Sequence, residues 1–166
     1  MTPKKLSFLA ILAILSIFTI VTTALAFDKD ELRAVREAVH FRKPQQAQAA
    51  GYDLLPGLDH CFDNPGVGAM GYHYIDANAL DTTLIPTHPE AIVYAPQSDG
   101  RLKLAAVEYI VPVDAWTATG AKELPQLFDQ RFHLNEALGV YVLHVWLWFP
   151  NPTGLFQDWN PNVTCP

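Results

Sequence analysis

Three ionisable residues stand in the middle of apolar, strand-like runs: His73 in Met70–Asp76, Glu108 in Leu102–Val113 and His144 in Val140–Phe149. Side chains two apart along a strand share a face. Glu108 therefore sits with Leu104, Ala106 and Ile110, His144 with Val142, Trp146 and Trp148, and His73 with Gly71 and Ile75. A carboxylate on an apolar face is costly unless it is paired or holds a cation. If the three faces converge, they supply two imidazoles and one carboxylate, the donor set of zinc, iron or copper sites. Glu90 opens the run Ala91–Ala95 on the face of Ile92 and Tyr94, and is a candidate fourth or outer ligand. The same residues have two other uses. Glu108 can be a structural hydrogen-bond partner of a histidine or tyrosine, or the set can do metal-free acid–base chemistry. No tight H-x-H or H-E-x-x-H spacing decides among the three. Trp146 and Trp148, beside His144, and Tyr94 are candidates to line a ligand pocket or stack a glycan; core filling is the competing use.

Other motifs carry less. Gly66–Gly71 spells G-x-G-x-x-G, but it follows a Pro-Gly loop and runs into strand-like Tyr72–Ile75, so no helix N-terminus faces a phosphate. Asp76, Asn78 and Asp81 lack the spacing and terminal glutamate of a calcium loop and read as a solvated turn. Ser98 lies in a turn and no G-x-S-x-G exists, which excludes the usual serine hydrolases. His60, His88 and His133 fall in loops or ambiguous segments and read as solvated. Trp159 is placed to cover the end of the chain near Cys165, and Asn162–Thr164 is a glycosylation sequon.

The elements that must position these residues follow from punctuation and periodicity. Asp28–Lys43 has acids in its first turn, a Leu32/Val35/Val39 stripe and basic residues at its end, which predicts a helix. Pro44 either kinks that helix or starts a second short one through Ala50, stopped by Gly51. Tyr52–Gly68 reads as loop. Four extended segments follow: Met70–Asp76, Ala91–Ala95, Leu102–Val113 and Val140–Phe149, with Pro96–Gly100 turning the second into the third as a hairpin. Leu124–Leu138 is ambiguous, with a short helix one reading. The economical architecture is α+β: an N-terminal helix packed on a mainly antiparallel sheet.

The chain has 166 residues, half of them apolar, with 17 acidic and 11 basic side chains. That length suits one domain, and a net charge of −6 argues against nucleic acid as a partner. Lys4 and Lys5 precede an apolar run, Leu6–Val21, that ends in Ala24-x-Ala26. This predicts a signal peptide over 1–26, cleaved to leave a single domain over 27–166 with no membrane anchor. The expected location is periplasmic or extracellular. There, Cys61 and Cys165 are an even pair expected to form one disulfide. A catalytic thiolate beside His60 is the competing use, and adjacency in sequence serves it poorly.

A set of longer strings adds a resemblance. Gly68–Tyr74, Pro89-Glu90 with Tyr94, Val107–Tyr109, Leu143–Trp148 and the ending Asn151-Pro152-x-Gly154-x-Phe156-x-x-Trp159-Asn160-Pro161 with Cys165 resemble a family of small exported bacterial proteins. The likeness includes Ala49–Tyr52 and covers most of 27–166. It implies export, the disulfide and the strand-borne His73/Glu108/His144 set, and it implies no particular activity. His60 beside Cys61 departs from the pattern, which weakens any role for that histidine.

Overall fold

The residue before a proline is pushed away from the helical region, and Lys43–Pro44 organises the beginning of the fold around that rule. The computed structural model describes residues 29–166, so the expected leader, its cleavage site and the Asp28 cap lie outside the described residues. Residues 29–38 are helical (α1), and Pro44–Ala49 form a second short helix (α2). The helix expected to reach Lys43 stops at 38, and Pro44 starts a new one. Lys43 is extended, at φ −126° and ψ 145°. The Tyr94 hydroxyl donates to the carbonyls of Phe41 (2.7 Å) and Lys43 (3.2 Å) across this break.

The sheet has six strands: β1 (Phe62–Asn64), β2 (Gly68–Ile75), β3 (Ala91–Pro96), β4 (Leu102–Pro112), β7 (His133–Asn135) and β8 (Val140–Val145). They lie in the order β1-β2-β3-β4-β8-β7, every neighbouring pair antiparallel. The Pro96–Gly100 turn closes the β3–β4 hairpin as expected, with Gln97 N–H donating to the Arg101 carbonyl. Two expectations need correction. Tyr52–Gly68 is not all loop, because Phe62–Asn64 pairs with the start of β2; three half-exposed residues are too few to show a period. Leu124–Leu138 holds no helix. It forms the small hairpin β5 (Gln126–Leu127) and β6 (Gln130–Arg131), then β7. Its turn residues Phe128 and Asp129 both have positive φ, the geometry of a hairpin turn normally marked by Asn or Gly. A short helix α3 (Val113–Ala118) follows β4.

Both faces of the sheet are covered, which is why β3 and β4 read as nearly unbroken apolar runs. One face carries Ile92, Tyr94, Val107, Tyr109, Leu143 and Val145 and packs with Val35 and Val39 of the N-terminal segment. The other carries two smaller clusters, Val93, Ala106 and Trp146 with Val163, and Ile75, Ala91, Ile110 and Val142. The C-terminal tail seals this second face. Asn160, fully buried, exchanges backbone bonds with Ala69, and its side chain donates to the Pro150 carbonyl. Cys61 and Cys165 form a disulfide, pinning the chain end beside β1. Among the described residues no helix is long and apolar enough to cross a membrane.

Candidate metal centre

Strand register decides where the three ionisable side chains go. Glu108 of β4 lies directly opposite His144 of β8. His73 of β2 lies opposite Val93, which lies opposite Ala106, so it stands one diagonal step from Glu108 with β3 between them. Two strand spacings separate their backbones by roughly 9–10 Å. Ala91, Val93 and Ala106, all fully buried, floor that gap with small side chains. Both long side chains lean across them, and His73 Nε2 comes within 3.5 Å of Glu108 Oε2. His144 Nδ1 is 3.8 Å from Glu108 Oε1. One donor atom from each of the three residues can be chosen so that all lie within 4.8 Å of one another. The faces expected to converge do so, at the seam between the two smaller core clusters.

The set is dry: His73 is 4%, Glu108 8% and His144 0% exposed. Burial pushes the His73 imidazole down to about 4, against the pull of the Glu108 carboxylate, so it is neutral at physiological pH. Burial works to raise the Glu108 carboxyl, but the His73 and His144 imidazoles outweigh it and hold the group below its usual range. These are the protonation states a metal ligand needs. Among the described residues, His73 Nδ1 and both ring nitrogens of His144 have no hydrogen-bond partner. Phe62 meets His73 edge-on, with ring centroids 5.2 Å apart, and Trp146 stacks on His144 at 4.7 Å. Those two rings fix the imidazole planes.

Glu90 is buried but stands apart from the cluster. Its Oε2 accepts from the Ile110 N–H at 3.0 Å, supplying the partner that β4 loses where β3 begins. Burial raises its pKa to about 7, opposed by that bond. It is a strand-end cap, and it lies on the alternate parity from Ala91 and Val93. The aromatic candidates also separate. Tyr94 is fully buried on the helix-covered face, with its hydroxyl committed to Phe41 and Lys43. The last strand, expected to run to Phe149, ends at Val145, because Trp148 and Phe149 both donate to the Ala105 carbonyl. That irregularity breaks the parity. Trp146 packs with the tail, its indole N–H bonded to the Gln157 carbonyl at 2.6 Å, while Trp148 joins the opposite core. They do not form one platform.

Sequence reasoning missed an ion pair at the edge of the centre. His133 Nε2 is 2.8 Å from Asp158 Oδ2, and that bond raises the His133 pKa against burial. Its charge also helps to hold Glu108 ionised. The signal was hidden because β7 has three residues and Asp158 sits in the irregular tail.

A cavity of about 240 Å³ opens beside the centre, with His73 and Glu108 in its wall and almost every other lining group apolar. Comparison of the chain with family models, with curated proteins and with solved structures finds no match.

Proposed function

We propose that this chain is a small exported protein that holds a divalent transition-metal ion, zinc, iron or copper, through His73, His144 and Glu108. The spacing of the donor atoms carries the reading. At 3.5 and 3.8 Å the two histidine–glutamate contacts are too long or too poorly placed for good hydrogen bonds. Metal–ligand bonds of about 2.0–2.2 Å place tetrahedral donors roughly 3.4 Å apart. The two contacts reach different oxygens of Glu108, and with one donor from each residue within 4.8 Å of the others, small side-chain shifts would bring all three onto one ion. Such an ion also answers the cost of a buried, ionised carboxylate between histidines of which one is neutral. Export rests on the leader-like N-terminus together with the Cys61–Cys165 disulfide. Kinship with the small exported bacterial proteins it resembles belongs to the same proposal.

Elemental analysis of untagged protein purified without chelator tests it, with His144→Ala beside it. Near-stoichiometric metal in the parent and its loss in the variant is the expected result. If no metal is found and none binds on titration, the three residues are a buried polar core and the reading fails.

A further inference from the structure

We infer that the metal centre takes a small, mainly apolar organic ligand, whose oxygen or nitrogen donor sits on the ion and whose hydrocarbon body fills the adjoining cavity. This rests on the metal reading above. The cavity of about 240 Å³ is walled by Leu55, Leu58, Phe62, Ile75, Ile110 and Val142, while His73 and Glu108 bring the ionisable groups to one place in its wall and Asn135 is the one other polar residue lining it. His144 is not part of that wall; it is turned under Trp146 and fully buried. The centre is therefore closed on its His144 side and opens on the side of His73 and Glu108. Three protein ligands leave at least one position for an outside donor, and on this geometry that position faces hydrocarbon. The space gives room for a short chain or a single ring. An apolar pocket with a few convergent polar groups is the general form of a small-molecule site.

The test uses the full chain loaded with cobalt(II), whose visible absorption reports coordination. Cobalt stoichiometry is measured first, then acetohydroxamate, butanohydroxamate and hexanohydroxamate are titrated. All three carry the same metal-binding head. Affinity is expected to rise about tenfold to hundredfold from the two-carbon to the six-carbon probe as methylenes leave water. Leu58→Arg, which brings a cation to the cavity wall, is expected to abolish that gain. If cobalt binds and the three probes bind equally, or all fail to shift the spectrum, the ligand inference is overturned and the metal reading stands. If cobalt does not bind, both fall.

Discussion

At the scale of single residues, two buried ionisable groups give opposite pH dependence to stability. His73 has an ordinary value of 6.5 and is lowered to about 4 by burial. As pH falls through that window the unfolded chain takes a proton that the native chain refuses, so stability drops by about 3 kcal/mol in the metal-free protein. Glu90 runs the other way. Burial raises it from 4.5 to about 7, so the native state keeps a proton that the unfolded state has lost, and stability falls as pH rises through that window. The two slopes oppose each other between 4.5 and 6.5. Urea unfolding of metal-free protein is expected to show a shallow profile there, while Glu90→Gln shows stability climbing with pH. An unchanged profile in Glu90→Gln would mean that Glu90 is ionised in the fold. A second residue-scale prediction separates a metal ligand from structural glue. Glu108→Gln keeps the shape but removes a carboxylate whose pKa the fold lowers, so without metal it is expected to fold with a moderately lower thermal stability than the parent. It should lose the stabilisation that zinc gives the parent, which is about 4 kcal/mol at a thousandfold excess over Kd. A Glu108→Gln variant that folds poorly with or without zinc would favour the structural role.

At the scale of elements, β2 carries His73 and depends on two close backbone approaches. Gly71 has φ +110°, and a Cβ there would lie within van der Waals overlap of the Tyr94 carbonyl oxygen on β3; Gly68, at φ +145°, meets the Asn160 backbone of the tail in the same way. Gly71→Ala is expected to cost about 2 kcal/mol or more through backbone strain and to lower metal occupancy, since His73 is two residues on. Thermal unfolding and metal analysis of one preparation read both; normal occupancy at reduced stability would show that the backbone yields locally at residue 71 without moving His73. The sheet was legible because its four long strands are bounded by Pro, Gly and Asn clusters, and the parity of His73, Glu108 and His144 survives within them. The reading failed at two places where backbone hydrogen bonds depart from a regular ladder. Beyond Val145, two N–H groups share the Ala105 carbonyl and turn Trp146 and Trp148 to different cores. At Glu90 the side chain itself replaces a ladder bond, which no pattern of residue types announces. The strands β1 and β5–β7, of two or three residues each, are too short to carry a period.

At the scale of the whole molecule, the disulfide closes a loop with a sequence separation of 104 residues. In the chain-entropy model a loop of that length contributes up to about 4–5 kcal/mol. The double variant Cys61→Ser/Cys165→Ser is expected to lower Tm by about 10 °C or more. It should also loosen the centre. Cys61 adjoins Phe62, which packs edge-on against His73 and walls the cavity, so metal is expected to dissociate faster into a chelator than from the parent. Stopped-flow chelation reads this, and equal rates would show that β1 holds its place through its pairing with β2 alone.

The stack of Trp146 on His144, at 4.7 Å between ring centroids and 28° between planes, makes the molecule its own detector. An open-shell ion bound at His144 lies close enough to an excited indole to drain it without light, whereas a closed-shell ion has no such route. Copper(II) or cobalt(II) should therefore dim the emission of this buried ring and zinc should not. Trp146→Phe should remove most of this metal-dependent dimming, and dimming that persists at full strength would show that another tryptophan reports the ion.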